Sequence, residues 1–99
     1  MIVRFHIDPI GALDAEQFGQ YEYRVTYEGE DLFGDSGLGS IEECVIAATE
    51  GLGQDAIGAE VAYKGIISGT YALASLALVS AQIAQHALQT TEAIEEAAG

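Results

Sequence analysis

Charged residues are distributed very unevenly along this chain of 99 residues. Sixteen acids face only three basic residues, and thirteen of the acids lie at or before Glu60. Residues 65–91, in contrast, contain no Asp, Glu, Lys or Arg. A chain of this length is typical of one domain. We therefore expect a single domain, residues 1–99, in which an acidic part (1–54) precedes an apolar helical part (55–99).

The acidity limits the classes of function that suit the chain. Its formal net charge is -13, yet 49% of its residues are hydrophobic and it has five Tyr and three Phe. That balance predicts a folded core and not a disordered acidic tail. Direct nucleic-acid binding requires Lys and Arg on phosphates, and only Arg4, Arg24 and Lys64 are present. The charge therefore indicates a basic protein partner, or else serves only solubility.

Two segments in the acidic part alternate between apolar and polar residues, as half-buried strands do. Residues 2–8 place Val3, Phe5 and Ile7 on one face, and Pro9 then marks the expected end of this strand. After a loop with Gly11 and Gly19, residues 21–28 alternate more strictly. Their predicted buried face consists of Tyr21, Tyr23, Val25 and Tyr27. Gly29 favours a turn, after which residues 30–34 return as a short third strand.

A helix start follows these strands. Ser40 is placed to cap the first amides of a helix, and Glu43, three residues on, completes a capping box. The apolar residues Ile41, Cys44, Val45 and Ala48 then recur at helical spacing. We expect this helix to end at Gly51 or Gly53 and to pack on the aromatic face of the sheet.

The apolar part is harder to assign. A helix starting at Asp55 and a strand over residues 61–67 both remain open for residues 55–69. A long helix is predicted for residues 70–97. Its apolar stripe would be Leu73, Leu76, Val79, Ile83, Leu88 and Ile94. The fold class is thus α+β: a small antiparallel sheet of three or four strands packed against one short helix, with a long C-terminal helix.

The uncharged stretch is long enough to span a bilayer, so membrane insertion has to be weighed. Polar residues spread along it, such as Ser68, Gln82 and His86, argue against a membrane span, and so does Lys64 as its only basic flank. We expect instead a buried helix, or a helix that forms a homodimer through residues 65–91. The first residues lack the pattern of a signal peptide and Cys44 has no second cysteine, so a cytoplasmic location is expected.

Templates for chemistry do not match this sequence. His6 and His86 lie far apart and Cys44 is alone, which leaves zinc without a ligand set. The glycines of residues 34–39 follow neither dinucleotide-binding nor Walker spacing, and the acids of residues 28–35 do not follow EF-hand spacing. We therefore expect no metal, no cofactor and no catalytic residue.

An acidic surface is the remaining candidate for a site. Seven acids on the strands, the turn and the start of the helix are the candidate partner-binding residues: Glu22, Glu28, Glu30, Asp31, Asp35, Glu42 and Glu43. A surface of this kind attracts basic proteins, and its carboxylates pair with Arg and Lys much as phosphates do. The expected partner is a basic nucleic-acid-binding protein or complex.

The strand meander leading into residues 36–42, Ser-Gly-Leu-Gly-Ser-Ile-Glu, resembles small acidic phage-encoded anti-CRISPR proteins. The resemblance covers residues 20–50. It implies a non-enzymatic inhibitor, a nucleic-acid mimic that blocks the basic nucleic-acid-binding surface of a CRISPR effector or nuclease in the cytoplasm of the host cell.

Residues 21–27, 32–35 and 40–48 are also similar to the strand-strand-helix pattern of HicB-like antitoxins. That resemblance implies an antitoxin that neutralises a small basic toxin. The Pro-Gly-Cys turn and the C-terminal DNA-binding module usual in that family are missing from this sequence. A third possibility is a structural or assembly protein that self-associates through its C-terminal helix.

Overall fold

The computed structural model describes residues 1–10 and 20–98. They form a five-stranded sheet with three helices packed on one face. The strands are β1 Ile2–Ile10, β2 Gln20–Tyr27, β3 Glu30–Leu38, β4 Gly58–Tyr63 and β5 Ile66–Ala72. The helices are α1 Ile41–Glu50, α2 Leu73–Leu78 and α3 Ser80–Ala98. The predicted α+β class is confirmed.

The sheet has more strands than predicted, in the order β3-β2-β1-β4-β5. β1, β2 and β3 form the predicted antiparallel meander. β4 then pairs with β1 in parallel and with β5 in antiparallel fashion. The parallel pair arises because α1 carries the chain back across the sheet. Of the two possibilities left open for residues 55–69, strand structure was the correct one. The predicted single strand over residues 61–67 is instead the end of β4 and the start of β5, with a turn at Lys64 and Gly65 between them.

β1 is the central strand of the sheet. Val3, Phe5 and Ile7 are all buried on its helix-facing side, as the alternation predicted. The strand does not end at Pro9 but continues to Ile10. β1 pairs with β4 only as far as Ile7. Pro9 has no N–H, but it lies beyond this pairing, so the β1–β4 ladder is complete without it. The predicted loop with Gly11 and Gly19 lies outside the described residues.

A two-residue turn joins β2 to β3. Glu28 and Gly29 have φ angles of 51° and 85°, and a type I′ hairpin turn requires positive φ at both positions. Glycine adopts this conformation at little cost, which explains Gly29. The third strand was predicted to end near residue 34, but β3 continues to Leu38. β3 forms one edge of the sheet.

The predicted cap at the start of α1 is present, with the Glu43 carboxylate on the amide of Gly39 and not on that of Ser40. The Glu43 amide donates to Ser40 Oγ at 3.1 Å, and Glu43 Oε2 accepts from the Gly39 amide at 2.6 Å. Ile41, Cys44, Val45 and Ala48 are the buried residues of the helix, as their spacing indicated. The helix ends at Gly51, where a Cβ would lie 2.6 Å from the Phe33 ring.

Replacing Ser40 with alanine is expected to lower the free energy of unfolding by about 1 kcal/mol, because the Glu43 amide loses its acceptor. Urea denaturation followed by circular dichroism measures the change. Ser40→Asp retains an acceptor and is the matched control, with a loss well below that of the alanine variant. Equal losses in the two variants would contradict a capping role.

The predicted long C-terminal helix is confirmed as α3, but its predicted start at residue 70 was wrong. The chain remains in β5 until Ala72, forms the short α2, and turns at Val79 before α3 begins. Thr70 and Tyr71 are residue types that favour strands, and pairing with β4 keeps residues 70–72 in β5. Half of the predicted stripe is confirmed, since Leu76 and Ile83 are buried and Val79 packs against the core. The other half is wrong, since Leu73, Leu88 and Ile94 are exposed. The buried face of α3 consists of Ser80, Ile83, Ala84, Ala87 and Thr91.

Small residues on this face let α3 lie close to the sheet. Thr91 is completely buried, and its hydroxyl donates to the Tyr63 carbonyl at 3.3 Å. This bond joins α3 to the end of β4. Across residues 1–10 and 20–98, no helix combines the length and the apolar character needed to cross a bilayer.

Candidate functional site

The face of the sheet opposite the helices is open to solvent. Most of the charged side chains of the strands lie on this face. Strand alternation directs Arg4, His6 and Asp8 of β1 to this open face. Register places Thr26, Arg24 and Glu22 of β2 directly opposite them. Both arginines of the chain therefore lie on two adjacent strands of one face.

Each of the three Lys and Arg side chains lies beside a carboxylate. Arg4 Nη2 is 2.8 Å from Glu60 Oε1, Arg24 Nε is 3.4 Å from Asp31 Oδ1, and Lys64 Nζ is 3.6 Å from Glu95 Oε2. These pairs are partly exposed, so each contributes little to stability. Their electrostatic consequence is larger. The chain's few cations are already paired, and the excess of carboxylates determines the field around the molecule.

His6 lies between the two arginines on the open face. Its Nε2 atom is 2.9 Å from Thr26 Oγ1, and Thr26 is itself buried. Burial lowers the pKa of His6 below its ordinary 6.5, and the charges of Arg24 and Arg4 lower it further, while Asp8 and Asp31 act in the opposite direction. His6 is therefore predominantly neutral at pH 7 and adds no cation to this face.

Stability is expected to fall as the pH drops below about 6.5. The pKa of His6 is lower in the folded state than in the unfolded chain, so the unfolded chain takes up a proton at higher pH. The contribution of neutral His6 to stability is therefore complete above the unfolded pKa and is lost as the pH falls to the folded pKa. His6→Gln removes this contribution, so its unfolding free energy changes less between about pH 7.5 and 5 than that of the wild type. An NMR titration of His6 with a midpoint at or above 6.5 would contradict the assignment.

The seven candidate acids do not share one face. Glu22 lies on the open face, and Asp31 lies opposite Thr26, where it pairs with Arg24. Glu42 and Glu43 belong to the first turn of α1, in the helical layer. The remaining three lie along the hairpin: Glu28 in its turn, Glu30 at the start of β3, and Asp35 further along β3.

The largest exposed group of these acids follows the edge of the sheet. We define the acidic hairpin as Glu28, Glu30, Asp31 and Asp35, all of them exposed. Asp35 is held by its own backbone, because Asp35 Oδ1 accepts from the Ser36 amide at 2.8 Å. Charged side chains on an edge strand also prevent pairing with other chains, so the hairpin has this protective role in addition to any binding role.

Sequence reasoning missed Asp8 as a neighbour of the candidate site. Asp8 lies directly opposite Glu22 on the open face, and like charges placed opposite each other destabilise a sheet. The alternation of residues 2–8 already put Asp8 on this face. Only the register between β1 and β2 reveals the pair.

Two shallow clefts cross the open face, with volumes of about 410 and 420 Å³. Arg4, His6 and Arg24 line the first, and His6, Glu22 and Arg24 are among the residues that line the second. In the described part of the chain, no three His, Cys, Asp or Glu side chains group to hold a metal ion. Cys44 is completely buried, and burial raises the pKa of its thiol to about 12, so it is not a nucleophile at neutral pH.

Tyr23 lies beneath the hairpin, with its ring packed edge-on against Phe33 at a centroid distance of 6.4 Å. Burial, followed by the charge of Asp35, raises the pKa of its hydroxyl. This aromatic pair connects the strands of the acidic hairpin to the core.

Comparison with protein-family models, curated proteins and solved structures finds no match to this chain.

Proposed function

We propose that this chain is a non-enzymatic acidic binding protein that inhibits a nucleic-acid-handling complex by occupying its basic groove. The anti-CRISPR resemblance gives the partner class: a CRISPR effector or a nuclease, encountered in the cytoplasm of a host cell by a phage-encoded inhibitor. The observation that supports this proposal most is the pairing of all three Lys and Arg side chains with carboxylates.

The acidic hairpin provides the contact surface in this proposal. Glu28, Glu30 and Asp35 are exposed, and no ion pair with a cation of the described chain involves them. They are therefore free to pair with Arg and Lys of a partner through charge-assisted hydrogen bonds. The net charge of -13 steers a basic partner toward the molecule before contact.

A rigid support makes this surface suitable for mimicry of nucleic acid. The carboxylates project from a hairpin fixed by its type I′ turn and by the Tyr23–Phe33 contact. Binding then costs little ordering of the backbone, which preserves affinity. Inhibition on this account is stoichiometric and needs no chemical step.

The proposal is tested by titrating the protein into purified CRISPR effector complexes and basic nucleases, each bound to a labelled target nucleic acid. At least one complex is expected to release its nucleic acid at about one equivalent of inhibitor. The effect should weaken as NaCl rises from about 0.1 to 0.5 M, because salt screens charge pairing. Release that is independent of salt would contradict an electrostatic mode of binding.

A second candidate is a HicB-like antitoxin. The strand-strand-helix order that carries this resemblance is present as β2, β3 and α1. Its partner would be a small basic toxin, met by the same acidic hairpin. Relief of toxin-induced growth arrest on co-expression, with no effect on CRISPR effectors, would favour this candidate over the first.

A further inference from the structure

The two edges of the sheet differ sharply in their protection. β3 contains Glu30, Asp31 and Asp35 of the acidic hairpin, and charged side chains on an edge strand discourage pairing with another strand. β5 forms the opposite edge and pairs with β4 alone among the described strands. Its sequence, Ile-Ile-Ser-Gly-Thr-Tyr-Ala, contains no charge and no proline. Both edge strands contain glycine and at least one shift in register, so the difference between the two edges is one of charge: β3 is charged and β5 is not.

β5 has the properties of a strand that accepts a partner. Ile66, Ile67 and Thr70 are β-branched and Tyr71 is aromatic, the residue types that pair best in sheets. Seven residues extend about 23 Å, and a shift in register at Ser68 divides the strand into the stretches 66–67 and 69–72. Ile67 lies opposite Ala62 and is 44% exposed, which leaves an apolar side chain beside the open edge.

We propose that β5 pairs with β5 of a second copy of this chain, antiparallel and across a two-fold axis, to form a homodimer with one continuous ten-stranded sheet. A strand paired with itself in this way is self-complementary, as a two-fold interface requires. The outer N–H and C=O groups of β5 in one copy would bond the same groups of β5 in the other copy.

Charge selects this edge for self-association. Two copies with a net charge of -13 each repel one another over most of their surfaces. Any antiparallel register within Ile66–Ala72 brings together uncharged residues only. Glu60, which lies opposite Thr70 of β5, is paired with Arg4, and Glu95 is paired with Lys64 in the turn before β5. A basic partner, in contrast, is drawn to the acidic hairpin at the far edge.

The C-terminal helix, the dimer contact expected from the sequence, is less suited to this role. Ile83, Ala84 and Ala87 of α3 are already buried against the chain's own sheet and helices. Its remaining exposed large apolar residues are Leu88 and Ile94, at 37% and 47% exposure. These two residues give a control variant for the experiment below.

The proposed dimer would carry its two acidic hairpins at opposite ends of the sheet. Nine spacings of about 4.8 Å separate the two outer strands, a distance of about 43 Å. The dimer does not depend on the proposed function, because strand pairing requires no basic partner.

Analytical ultracentrifugation of the full chain tests the proposal, with three variants that each gain two lysines. They are I67K/T70K on β5, L32K/S36K on β3 and L88K/I94K on α3. All six positions have exposed or half-buried side chains, and circular dichroism checks that each variant folds. Every pair raises the net charge by the same amount, so changes in global repulsion are matched.

The wild type is expected to dimerise more tightly as NaCl rises, because salt screens the repulsion between copies. I67K/T70K should weaken the dimer at least about tenfold, while the other two variants leave it unchanged. A wild type that remains monomeric at about 0.5 mM overturns the proposal. So does loss of the dimer in L88K/I94K with retention in I67K/T70K. The salt response is opposite to that of inhibitor binding, so the two proposals fail separately.

Discussion

Replacing Phe5 with alanine is expected to lower the free energy of unfolding by about 3 to 5 kcal/mol. Phe5 is completely buried on the central strand, and its neighbours across the sheet, Val25 and Val61, are completely buried as well. Strands on both sides keep the site from collapsing, so the removed ring leaves a cavity. Because small domains are stable by about 5 to 15 kcal/mol, this single change would remove much of the total.

Chemical denaturation monitored by circular dichroism and by tyrosine fluorescence measures this loss. Leu78→Ala is the matched control, since Leu78 is also a large apolar residue but is 83% exposed. Its effect should remain within about 0.5 kcal/mol of the wild type. Comparable losses in both variants would show that Phe5 does not lie in the core described above.

Neutralising the acidic hairpin is expected to weaken binding to a basic partner by about tenfold. The variant E28Q/E30Q/D35N removes three carboxylates that have no cation partner in the described chain. Three exposed ion pairs of about 0.5 kcal/mol each amount to one factor of ten in affinity. Asparagine at position 35 retains the oxygen that accepts from the Ser36 amide, so the local backbone is preserved.

The control variant E50Q/E92Q/E96Q removes the same charge from exposed positions on the helices. If the hairpin is the contact surface, the control should lose much less affinity, since it changes only the long-range field. Calorimetric titration of both variants into the same partner gives the comparison. Equal losses would mean that net charge alone drives binding and that the hairpin has no special role.

Local sequence signals predicted the first half of the fold well. Alternation placed Val3, Phe5 and Ile7 in the core, and the capping box located the start of α1. These features depend on neighbouring residues, so the sequence alone is sufficient to find them. Gly29 predicted a turn for the same reason, and the structure shows that Glu28 beside it also adopts positive φ.

The second half depends on contacts between residues far apart in the chain. Residues 66–72 have both helical and strand character, and their pairing with β4 decides the outcome. The helical periodicity of residues 70–97 selected large apolar side chains as the buried stripe. In the structure the close approach of α3 requires small ones, such as Ala84 and Ala87. A stripe of small residues gives a weak hydrophobic signal.

The candidate site divides in the same way. Composition alone predicted an acidic surface, because the sixteen acids of a small domain have to lie mostly at its surface. Which acids lie together depends on strand register, which separates Glu42 and Glu43 from the acidic hairpin and brings Asp8 opposite Glu22. Register is set by long-range pairing, so it was not available from one sequence.

Competition with nucleic acid tests the central claim most directly. The complex that responds to this protein is titrated at several fixed concentrations of its target nucleic acid, and the apparent inhibition constant is measured at each. If the acidic hairpin occupies the nucleic-acid groove, that constant rises in proportion to the concentration of nucleic acid. A constant that stays the same at every concentration would place the binding site elsewhere and contradict the claim.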